Sequence, residues 1–138
     1  MRGALSASAL GDIFVLTNAG NIIGSAATAG TTTAIQLQAG GTVQMGSDGI
    51  ANDGLSGQSI SIQAGRSIFG GNLTTLDGPI TLTANSGGGQ ALATPPASVI
   101  TMTQGSRINA GTGTVTIRLL DGAGDPQRAN GAITLASI

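Results

Sequence analysis

The feature that most constrains this chain is a short phrase, x-I-x-[ILM]-x, that returns at roughly 20-residue intervals, a period at which solenoid repeats occur. It is read in AIQLQAGGTV (34–43), SISIQAGRSI (59–68), PITLTANSGG (79–88), VITMTQGSRI (99–108), TVTIRLLDGA (114–123) and AITLASI (132–138), with DIFVLTNAGNI (12–22) as a first member. The leading apolar positions are Ile13, Ile35, Ile60, Ile80, Ile100, Val115 and Ile133. A second apolar anchor follows at Ile22, Val43, Ile68 and Ile108. Each phrase alternates as a strand does, with side chains on opposite faces. Each then breaks at a small corner such as Ala64-Gly65 and starts again. A unit of two or three short strands joined by glycine corners, repeated in register, predicts one coil of a parallel β-helix.

The expectation is therefore an all-β chain, a single β-solenoid domain over residues 1–138 with about seven coils. Alternation sends Ile60 and Ile62, Ile80 and Leu82, Ile100 and Met102, Val115 and Ile117, and Ile133 and Leu135 inward. It sends Gln36, Ser61, Thr81, Thr101, Thr116 and Thr134 outward as one polar column. Pro95-Pro96 cannot donate ladder hydrogen bonds, so QALATPPASV (90–99) reads as a loop leaving a coil. An antiparallel β-sandwich is the alternative; it accounts for the strand lengths but not for a phrase that recurs in register.

Composition agrees with strands and corners. Leu, Ile, Val and Phe make up 32 of 138 residues, and only two residues are aromatic, so the core must be aliphatic and narrow. All five basic residues are Arg and all six acids are Asp; Lys, Glu, His, Cys, Tyr and Trp are absent. A helical surface without Glu or Lys would lack its usual formers, while 24 glycines favour turns. Nothing here resembles a basic patch with stacking aromatics, which argues against nucleic-acid binding. No apolar run approaches the roughly 20 residues of a membrane helix. The opening MRGALSASAL is short and polar for a signal peptide, and Met1 precedes what already reads as mid-protein sequence, which points to a segment of a longer chain.

The phrases SISIQAGRSI, GPITLTANSG and GAITLASI resemble the repeats of filamentous-haemagglutinin-like exoproteins, the adhesins of two-partner secretion systems. The resemblance spans about Gly11 to Ile138, without the NPNGI-type motif of that family's secretion domain. It implies a repeat shaft at the extracellular or bacterial outer cell surface, with a host-surface or glycan ligand and no catalytic residues to carry over.

Chemistry-bearing candidates are few. Asp48 and Asp53 in GSDGIANDG, and Asp121 and Asp125 in DGAGDP, would suit calcium loops, but tandem copies are missing and Asp-Gly is ordinary turn chemistry. Without His, Cys, Lys, Glu or Tyr most nucleophilic and general-base schemes are closed, so the expectation is no enzyme, no metal and no cofactor. The phrases TLT (81–83) and TMT (101–103), placed on adjacent coils, would make a Thr-x-Thr array of the kind associated with ice binding; the ordinary reading is that Thr suits strands. Arg66 and Arg107, each just after a first corner, read as solvated charges. With no polar cap visible at either terminus, stacking of the Ile133–Leu135 coil of one copy on the Ile13–Val15 coil of another is expected, giving a filament as the second functional reading.

Overall fold

Fourteen strands and no helix make up the described part of the chain, in a computed structural model that describes residues 4–8, 13–17, 22–28, 33–45, 54–86, 97–120 and 130–138. The strands are β1 (Ala4–Ser8), β2 (Ile13–Thr17), β3 (Ile22–Thr28), β4 (Ala34–Ala39), β5 (Val43–Met45), β6 (Gly54–Gly57), β7 (Ser59–Ala64), β8 (Ile68–Gly70), β9 (Asn72–Thr75), β10 (Ile80–Ala84), β11 (Ser98–Met102), β12 (Ile108–Asn109), β13 (Val115–Leu119) and β14 (Asn130–Thr134). Every pairing between described strands is parallel, which sets aside the antiparallel sandwich.

One sheet has five strands in the order β13-β10-β7-β4-β2. The other has nine, and it divides at β3. Ile22–Gly24 of that strand pair with β5, leading on through β8 and β11 to β14, while Ala27 and Thr28 pair with β6, leading on through β9 to β12. There are thus three ladders, and the chain visits them in a fixed cycle: β4, β5, β6, then β7, β8, β9, then β10, β11, β12. Parallel neighbours need a crossover, and here the other two ladders supply it in place of a helix.

Registration aligns aliphatic residues in columns. Ile35, Ile60, Ile80 and Val115 lie in successive strands of the five-stranded sheet, as do Leu37, Ile62, Leu82 and Ile117. On the second ladder Val43, Ile68, Ile100 and Ile133 are aligned, and on the third Leu55, Leu73 and Ile108. Apart from Ile133, which was expected to point inward but is exposed on the last described strand, these columns meet in a single core built almost entirely of Ile, Leu, Val, Ala and Met. Within β4, β7 and β10 the residues facing this core are buried, and those between them are half-buried or exposed. The inward assignment of Ile60, Ile62, Ile80, Leu82, Ile100 and Met102 therefore holds.

The sequence repeat needs one correction. The phrases at 99–103 and 132–135 do not continue the column of Ile60 and Ile80; Ile100 pairs with Ile68 and Ile133, in the nine-stranded sheet. The five-stranded sheet accordingly holds five leading positions where seven coils would place seven. The reason is physical: both ladders offer inward aliphatic columns of the same period, so the phrase fits either. The polar column divides in the same way, with Gln36, Ser61, Thr81 and Thr116 on one sheet, and Thr101 and Thr134 aligned with Phe69 on the other.

The corners explain particular residues. A Cβ at Gly78 would collide with the carbonyl oxygen of Gln58, and one at Gly113 with that of Gly78. At this corner successive backbones approach so closely that only glycine fits. The corner after β4 and β7 is carried by backbone bonds, Gly40 N–H to Thr17 O at 2.8 Å and Gly65 N–H to Ala39 O at 2.8 Å.

Candidate functional site

Among the described residues, those that could do chemistry do not converge. Asp48, Asp53, Asp121 and Asp125, together with Pro95-Pro96, lie outside the described residues. Among the described residues no group of three or more His, Cys, Asp or Glu comes together, and no helix is long and apolar enough to cross a membrane. Arg66 and Arg107 stand at different corners: Arg66 follows β7, and Arg107 precedes β12, its N–H donating to Asn72 Oδ1 at 2.8 Å. They form no shared cationic patch.

Asp77 is the one described carboxylate. Its backbone takes a positive φ of 59°, a conformation that Asp tolerates better than most residues. Its Oδ1 accepts the Thr112 N–H at 2.8 Å and the Thr112 hydroxyl at 3.0 Å. These two bonds, the backbone one first, hold the carboxyl below its ordinary pKa. The group is exposed and fixes the turn after β9 to the turn before β13. The sequence signal was LDGP (76–79), an Asp-Gly turn followed by proline, which shows the turn but not its partner 35 residues away.

The more distinctive features are surfaces. The five-stranded sheet presents Gln36, Ser61, Thr81 and Thr116 in one row and Gln38, Gln63, Thr83 and Arg118 in the next, uncharged except for Arg118. Neighbouring strands in such a ladder stand about 4.8 Å apart. TLT and TMT do not form adjacent rungs, because Thr81 pairs with Ser61 and Thr116 while Thr101 pairs with Phe69 and Thr134. The Thr-x-Thr array expected from sequence is thus divided between two sheets.

The second surface is an edge. Among the described residues β13 pairs only with β10, and β14 only with β11. Val115, Ile117 and Leu119 face the core yet are only half-buried, and Ile133 is 45% exposed. At the opposite end β1 extends the nine-stranded sheet by one strand beyond β3, while the last described strand of the five-stranded sheet is β2. A stack of Ile133–Leu135 on Ile13–Val15 would set one sheet against the other, since Ile133 belongs to the nine-stranded sheet and β2 to the five-stranded one. In-register continuation pairs β13 with a strand like β2.

No protein-family model matches this sequence, and no curated protein or solved structure does.

Proposed function

We propose that this chain is a parallel β-helix, a β-solenoid whose turn is one visit to each of the three ladders, and that it works as a rigid shaft segment of a secreted or cell-surface bacterial protein. The observation that carries this reading is the parallel register, which runs unbroken through β4, β7, β10 and β13 with an aliphatic core inside it. A stack of this kind buries strand edges and columns everywhere but at its two ends and lengthens by about 4.8 Å per added turn. The described polar residues, which gather at no one place, support a mechanical role. The likeness of SISIQAGRSI and GPITLTANSG to filamentous-haemagglutinin-like repeats supports placing the shaft outside the cell, where it would carry a host-surface or glycan ligand. Immunogold labelling of intact source cells with an antibody against residues 54–86 tests this. Label standing off the envelope is expected; label seen only after permeabilisation contradicts it.

The half-buried core residues of β13 favour a second reading, a subunit that stacks end to end into a filament. Such a contact is head-to-tail and propagates unless it closes. Sedimentation across a concentration series distinguishes the two, with Ile117→Lys as an edge-blocking control. Growth of the assembly with concentration that the lysine abolishes supports the filament, and a monomer at high micromolar concentration rejects it. The ice-binding reading keeps only the rows of the five-stranded sheet, where Gln and Ser occupy the rungs beside Thr81 and Thr83.

A further inference from the structure

Among the described residues, the corner between the five-stranded sheet and the second ladder is closed by two short connections. Residues 40–42 and 65–67 cross it tightly, between β4 and β5 and between β7 and β8. Between β10 and β11, and between β13 and β14, the connecting sequence is longer, residues 85–97 and 120–129, of which 85, 86, 97 and 120 are described. Both begin at the paired ends of β10 and β13, Ala84 beside Leu119, a place where a solenoid risks losing its register.

Asn85 stands at that point. It is 2% exposed and holds a positive φ of 57°. Its Nδ2 donates to the Leu120 carbonyl at 2.8 Å, at the stem of the second connection. Its Oδ1 accepts the Ser98 hydroxyl at 3.2 Å, where the first connection rejoins the sheet. A carbonyl can only accept, so the Leu120 contact fixes which side of the amide carries the nitrogen. Its own N–H donates to Arg66 O at 2.7 Å, and Ser86 Oγ donates to Ala64 O at 3.0 Å, tying the same residues to the tight corner of the preceding pass.

We propose that Asn85 is a positioning residue that clamps both long connections to the scaffold at one corner, so that the ladders keep register while intervening chain is added there. A glycine would permit the backbone but reach neither stem. Most other side chains would resist the positive φ. Asparagine does both: it tolerates the left-handed conformation and carries a donor and an acceptor on one short arm.

The test is amide hydrogen exchange on the full chain, comparing wild type with Asn85→Gly, which keeps the backbone conformation and removes the clamp. The Val99 amide, which donates to Ser67 Oγ, and the Leu120 amide, which donates to Ala84 O, are expected to exchange about tenfold faster, as for loss of a buried hydrogen bond, with Ile60 and Ile80 unchanged. Unchanged protection at Val99 and Leu120 overturns the proposal, and loosening of one stem alone overturns the two-stem clamp. If Asn85→Gly does not fold, Ser98→Ala removes a single contact and should loosen Val99 while leaving Leu120 protected; uniform loosening across the molecule would then reject a local clamp.

Discussion

β10 and β13 are neighbours in one sheet, paired residue for residue, yet they have different surroundings. Ile80 and Leu82 are at most 1% exposed, while their partners Val115 and Ile117 are only half-buried. Both strands read the same in sequence, apolar at alternate positions. The difference is that β10 has β7 on its other side and β13 has no second partner among the described residues. In this architecture facing inward is set by the strand, but burial is completed by the next pass of the chain. An inward aliphatic column is therefore only as dry as its last covered rung, which is the nearest-neighbour logic of repeat proteins.

The largest effect that can test this contrast is a charge placed in the two strands. Ile62→Asp buries a carboxylate without a partner at a fully covered rung, at a cost of several kcal/mol, comparable with the whole stability of a small domain. Ile117→Asp sits in the same column at the uncovered rung, where water still reaches it, and should cost much less. Ser61→Asp, facing outward beside Ile62, should be tolerated. Thermal melting by circular dichroism ranks the three, and equal losses for Ile62→Asp and Ile117→Asp would show that burial in this column does not depend on the next pass of the chain.

A smaller effect, of opposite sign, is expected inside the covered region. Gly70 is buried in β8, pairs with Met102, and would find nothing within 4 Å of an added Cβ. Gly70→Ala should stabilise by about 0.4–1 kcal/mol by restricting the unfolded chain, with the new methyl meeting open space. A urea midpoint that moves up without a change in slope confirms it, and a midpoint that falls would mean the interior is tighter there than the geometry indicates.

The smallest effect concerns the corner that joins the covered and uncovered passes. Thr112, through its N–H and then its hydroxyl, lowers the Asp77 pKa in the folded chain, so the ionised form is favoured by folding. That contribution is present above the unfolded value of about 3.9 and is lost as pH falls through the lower folded one. Between neutral pH and pH about 3, wild type should lose more melting temperature than Asp77→Asn does, by a small margin because the group is exposed to solvent. Identical acid profiles would show that the Asp77–Thr112 bridge does not couple the two turns.

What could be read from sequence follows from the same physics. The alternation around Ile35, Ile60 and Ile80 identified strands, inward residues and a shared register, because period-2 patterning and a repeat in tandem leave few other solutions. It could not assign Ile100 and Ile133 to a sheet, because an inward aliphatic column on either ladder imposes the same local pattern. Nor could it find Asp77 or Asn85. Each is a single polar residue in a turn, and its role is set by a partner 35 residues along the chain, Thr112 for one and Leu120 for the other. The surfaces were legible only in outline: polar rows were expected, but the division of Thr81 from Thr101 depends on topology.

That division makes the cyclic parallel register open to measurement by distance. The chain has no native cysteine, so spin labels can be placed in pairs without interference. Labels at Ser61→Cys with Thr81→Cys, and at Thr101→Cys with Thr134→Cys, occupy adjacent rungs about 4.8 Å apart and should show strong dipolar and exchange broadening. Labels at Thr81→Cys with Thr101→Cys lie on different sheets and should not. Broadening in the first two pairs and its absence in the third is the predicted result; strong broadening between positions 81 and 101 would contradict the register and with it the architecture.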